Sequence, residues 1–60
     1  MEVVRYYLIS RSSVSIYETE HKAREHAKQL EQIGYMVKIL KSITIEPEEP
    51  SETFTLIYKT

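Results

Sequence analysis

Residues 19–45 read TEHKAREHAKQLEQIGYMVKILKSITI, and a change of period inside this stretch decides the fold. Ala23, Ala27 and Leu30 recur at i, i+4 and i+7, with Ile33 three residues on, so one narrow apolar stripe runs along a helix. Lys22, Glu25, Lys28, Gln29 and Gln32 take the opposite side. Thr19 is the expected N-cap, because its hydroxyl can accept a bond from an N–H of the first turn. Glu20 follows where the helix dipole favours negative charge. It pairs with Arg24 at i,i+4 in the favourable orientation, for ~0.3 kcal/mol. Gly34 is placed to end the helix in the left-handed conformation. The two alanines let the helix backbone lie close to a sheet. Beyond Gly34 the period drops to two, and Tyr35–Ile45 reads as a long strand with Val37, Ile39, Ile43 and Ile45 on one face. Lys41 interrupts the alternation, and a bulge or bend near Lys41–Ser42 would account for it.

Working outward, Val3–Ile9 is dense in β-branched and aromatic residues and reads as a strand. The polar run Ser10–Ser13 breaks it. Val14–Tyr17 is either a short return strand or an extended lead-in to the helix. Residues 46–52, EPEEPSE, read as a solvated hairpin loop: two prolines remove ladder donors and four glutamates repel one another. Thr53–Lys59 alternates as a last strand. The order is therefore β-α-β-β, or β-β-α-β-β if Val14–Tyr17 pairs. The fold class expected is α+β. A three-stranded, mainly antiparallel sheet has its last strand between the first and second, in spatial order 1-3-2, with a right-handed crossover and one helix on one face. That arrangement is half of a ferredoxin-like fold.

With 60 residues the chain holds one domain, 1–60. A domain this small buries only roughly 60% of the surface its unfolded chain exposes, so a staple is expected. Without cysteine there is no disulfide or thiolate metal site, and a partner subunit is the staple left. Eight basic residues face nine acidic ones, all glutamate, for a net charge of -1. A nucleic-acid binder usually shows a basic excess. No apolar run approaches the ~18 residues of a membrane span. The start Met1-Glu2-Val3-Val4-Arg5 lacks the features of a signal peptide, so a complete, cytoplasmic gene product is expected.

One helix covers one face of a sheet. The face assigned to it carries Val4, Tyr6 and Leu8, then Val37, Ile39, Ile43 and Ile45, then Phe54, Leu56 and Tyr58. The other face presents Val3, Arg5, Tyr7 and Ile9, then Met36, Lys38, Leu40 and Ser42, then Thr53, Thr55, Ile57 and Lys59. Val3, Tyr7, Ile9, Met36, Leu40 and Ile57 make a contiguous apolar patch there, and such patches mark interaction surfaces. The candidate interface is thus Val3, Arg5, Tyr7, Ile9, Met36, Lys38, Leu40 and Ile57, for a protein partner or a second copy in a homodimer. The alternative is a nucleic-acid surface built from Arg5, Tyr7, Lys38 and Lys59, with the tyrosine stacking on bases.

No catalytic, cofactor or metal site is expected. The chain has no aspartate, no cysteine and one glycine, so neither a phosphate cradle nor a triad suggests itself, and the reading is a non-enzyme. His21 and His26 lie about 140° apart around the helix and do not converge on one ion. The glutamates at 46, 48, 49 and 52 lack the turn glycine of a calcium loop. Arg11-Ser12-Ser13 is a polar turn that could also meet a phosphate.

The run Tyr17-Glu18-Thr19-Glu20 through Ala23, Ala27, Leu30, Gly34-Tyr35 and Val37 resembles a recurrent unit: strand, acidic helix start, alanine-rich helix, Gly-Tyr, strand. It looks like very short β-α-β-β accessory proteins encoded by bacteriophages and mobile elements. The resemblance spans residues 3–45 and is one of fold pattern, so no functional residue transfers. It implies a factor that binds and modulates a host protein.

Overall fold

The computed structural model describes residues 1–45 and 51–60. The elements run β1 (Glu2–Ser10), β2 (Ser13–Tyr17), α1 (Glu20–Gln32), β3 (Lys38–Ile45) and β4 (Ser51–Lys59). They form an α+β fold with an open four-stranded sheet of order β2-β1-β3-β4, every neighbouring pair antiparallel. The three-stranded sheet of order 1-3-2 is therefore corrected. Val14–Tyr17 does pair, as part of β2, and the element order is β-β-α-β-β. Because β2 reverses the chain before the helix, the crossover joins β2 to β3 across β1. The first strand, not the last, fills the gap of the split β-α-β unit. The last strand, tied to β3 by a hairpin, is left the free edge of β3.

Local chemistry explains each boundary. Ser10 pairs with Ser13, leaving Arg11 and Ser12 as a two-residue turn. Such turns need positive φ to match the twist of the strands, and Arg11 supplies it at φ 57°. Its guanidinium packs over the Tyr35 ring at 4.8 Å, which offsets part of the strain. Thr19, extended at φ -126°, accepts from the Lys22 N–H at 3.3 Å, and the Arg24 guanidinium donates to Glu20 at 2.7 Å. At the other end Gly34 takes φ 92°, its N–H reaches the Glu31 carbonyl and the Tyr35 N–H the Leu30 carbonyl, both at 3.0 Å. That is a Schellman closure. It takes up Tyr35, and Met36 and Val37 follow outside the ladder, so the strand expected from Tyr35 begins only at Lys38. At the loop's far end, residues 51 and 52 belong to β4, with Ser51 opposite Ile45. The rest of the expected acidic loop, 46–50, lies outside the described residues.

Leu8, Ala23, Ala27, Val37 and Ile39 are buried at the core, flanked by Tyr6, Tyr17, Leu30, Ile57 and Tyr58. The helix backbone lies on β1, β2 and β3 through its two buried alanines. It reaches β4 by side chains alone: Tyr58 donates to the Glu31 carboxylate and lies under Arg24. Ile33 does not join the stripe and is 64% exposed. Ten residues of helix turn it about 80° away from Ala23.

Antiparallel partners share a face. Leu8 opposes Ile39 and Ile39 opposes Tyr58, all on the helix side. The β3–β4 ladder then shifts register between Ile39 and Leu40, where Ile57 is the extra residue. The bulge or bend expected at Lys41–Ser42 is therefore corrected: that part of β3 pairs regularly on both sides, and the irregularity lies on β4 at Ile57. Lys41 itself continues the helix-side alternation opposite Tyr6 and Thr55. Among the described residues no helix is long and apolar enough to cross a membrane.

Candidate functional site: the open sheet face

The bulge decides what the uncovered face carries. Between the bulge and the hairpin, the even-numbered residues of β4 pair with Leu40, Ser42 and Thr44, so Leu56, Phe54 and Glu52 point away from the helix. Phe54 and Leu56 are thus corrected from the covered face to the open one, and Thr53, Thr55 and Ile57 from the open face to the covered one. Val3, Arg5, Tyr7, Ile9, Lys38 and Leu40 stand on the open face as expected. Met36 precedes β3 and is 73% exposed at the end of the sheet, its carbonyl accepting from the Ser10 hydroxyl at 3.0 Å.

Reading the pairing across the strands gives four rows. Val14, Ile9, Lys38 and Lys59 form one end. Next comes Ile16, Tyr7, Leu40 and Leu56, an unbroken apolar row over all four strands. Arg5, Ser42 and Phe54 follow, and Val3, Thr44 and Glu52 close the other end. The Tyr7 and Phe54 rings meet edge to face at 5.6 Å although their strands are separated by β3. They therefore arch over the central strand, which explains why Ser42, on a nominally open face, has no exposed surface. Ser42 donates to the Glu52 carboxylate at 2.8 Å, and Thr44 donates to the same oxygen at 3.2 Å.

β2 is amphipathic the wrong way round for a sheet with one covered face. Ser13 and Ser15 face the helix, opposite Ser10 and Leu8, while Val14 and Ile16, each 58% exposed, face outward. A one-residue slip would invert this, and the two-residue turn at Arg11–Ser12 forbids the slip. Under the helix the serines leave a cleft of about 230 Å³ lined by Ser13, Ser15, Arg11 and His26. The sequence reading missed Val14, Ile16, Phe54 and Leu56. The first two were legible from the alternation S-V-S-I-Y once β2 is a strand. The other two depended on the bulge.

The remaining candidates resolve simply. His21 is exposed and meets Glu25 at 3.2 Å. His26 lies against Tyr17, with Nδ1 2.7 Å from the phenol oxygen. No cluster of three or more metal-ligating side chains occurs among the described residues. Glu46, Glu48 and Glu49 lie outside the described residues, whereas Glu52 belongs to the open face. Arg5, Tyr7, Lys38 and Lys59, the set read as an alternative nucleic-acid surface, all share that face. No family model matches the chain, and no curated protein or solved structure matches it.

Proposed function

We propose that this chain is a non-enzymatic protein-binding module whose open sheet face is the interaction surface. The observation that carries the reading is the row Ile16, Tyr7, Leu40 and Leu56, extended by Val14 and Phe54. Half of each of the side chains Val14, Ile16, Phe54 and Leu56, or slightly more, is in water. A contiguous apolar surface of this kind on a small protein supports an interaction site rather than a solvent face. The resemblance to short phage and mobile-element proteins supports a modulator of a host protein as one form of the module. The test places a charge in the row. Leu56→Glu and Ile16→Glu are expected to keep the far-ultraviolet circular dichroism of the parent and to lose association, measured by sedimentation and by retention of proteins on the immobilised chain. Folded variants with undiminished association would remove the reading.

A second reading, a nucleic-acid surface, draws on Arg5, Tyr7, Lys38 and Lys59 sharing one face. It predicts a complex that weakens steeply with added salt. A gel-shift titration at low ionic strength without a complex would dispose of it.

A further inference from the structure

Resting on the protein-binding reading above, we infer that the occupant of the open face is a second copy of the chain, packed face to face about a two-fold axis that lies across the strands. The four rows run from a basic end, with Lys38 and Lys59, through apolar and aromatic rows to an end with Glu52. Rotation about such an axis keeps each strand over its own equivalent and reverses its direction. Lys59 of one copy then lies opposite the partner's Glu52, and Phe54 opposite the partner's Leu56. Arg5 lies opposite the partner's Tyr7, where a guanidinium can cover an aromatic face. Ile9 lies opposite the partner's Val3.

The other two-fold that closes a face-to-face pair runs along the strands. It sets Lys38 and Lys59 on the partner's Ile9 and Val14, away from any counter-charge. Desolvating an ammonium group without a partner is costly, and the axis across the strands gives Lys59 the partner's Glu52 and sets Lys38 on the partner's Thr44, the cross-strand neighbour of that carboxylate, so it is the one that the charge pattern fits. Among the described residues neither lysine has an ion pair within its own chain. The Glu52 carboxylate is already oriented by Ser42 and Thr44.

Three strands, β1, β3 and β4, overlie their equivalents. About 4.8 Å apart and eight or nine residues long at ~3.3 Å per residue, they cover roughly 400 Å². Two copies bury on the order of 800 Å², the scale of a weak, concentration-dependent dimer. Aligned sheets pack within about 30° of each other, which keeps the paired rows in reach of long side chains.

The test uses charge exchange and cross-linking on the full chain. Sedimentation equilibrium of the parent should give twice 7.1 kDa. Glu52→Lys and Lys59→Glu should each raise the dissociation constant about fivefold or more, because symmetry breaks each ion pair twice. The double exchange should return to within about twofold of the parent. The chain has no cysteine, so Glu52→Cys/Lys59→Cys should form a covalent dimer with a short bismaleimide, whereas Glu52→Cys alone should not. A monomer at every concentration would overturn the inference. If Leu56→Glu then still abolished capture of a different protein, the interaction reading would survive on its own. A Lys59→Cys/Val14→Cys pair that cross-links while 52 and 59 do not would overturn this axis in favour of the other.

Discussion

Tyr58 carries the link between the helix and the last strand. Its hydroxyl donates to the Glu31 carboxylate and its ring lies 5.3 Å below the Arg24 guanidinium. The hydrogen bond to Glu31 raises the Tyr58 pKa above the ordinary 10.0, desolvation and the Glu31 charge add to this, and Arg24 opposes it. A folded pKa above the unfolded value means that the bond stabilises the fold fully below pH 10.0 and fades as pH rises through the folded value. An ultraviolet difference titration of the parent against Tyr58→Phe should place this phenol's step above 10.0. A step at or below the ordinary value would refute it. Residue-scale features were the most legible in sequence. Thr19, Gly34 and the Glu20–Arg24 pair act as their types dictate, because capping, left-handed backbone and i,i+4 contacts depend only on neighbours in the chain. Arg11 was not legible: an arginine at positive φ follows from the hairpin, not from its own preference.

Among elements, β2 is the informative one. Its serines face the helix and its valine and isoleucine face away, the reverse of what a one-sided sheet asks. The helix-side cleft and the apolar open face are two consequences of that inversion. Ser15→Val should therefore stabilise the isolated fold by about 0.5–1 kcal/mol, through β propensity and partial filling of the cleft. Ile16→Ser should change the unfolding free energy measured at low protein concentration by less than about 0.5 kcal/mol, yet weaken association. Urea melts of both variants, with sedimentation alongside, check the pair. A strongly destabilised Ile16→Ser monomer would mean that this side chain serves the core after all. The sequence reading kept β2 open between strand and lead-in because five residues carry too little period to decide. The β4 faces from Thr53 to Ile57 came out reversed for a different reason, while Tyr58 and Lys59 stand as expected. Alternation within one strand is a local property, but a bulge is a mismatch between two strands, and Ile57 looks like any other position of the run.

For the whole molecule the thin core matters most. Its buried apolar side chains include two alanines, and the helix backbone leaves β4 uncovered. A fold of this size gains from any partner that binds only the native state. If association through the open face is that partner, the melting temperature should rise with protein concentration for the parent and lose this dependence in Leu56→Glu. A parent melting point independent of concentration would argue against the coupling. By itself the sequence determined the α+β class, the helix with both caps, the strand faces of β1 and β3 and the presence of a second apolar surface. All of these rest on period and on contacts a few residues apart. Only the tertiary structure decided that β1 lies between β2 and β3, that a bulge turns Phe54 and Leu56 outward, and that charged ends flank an apolar row. Those depend on which strands meet and in what register, and pairing energies between distant segments leave no signature in any one segment alone.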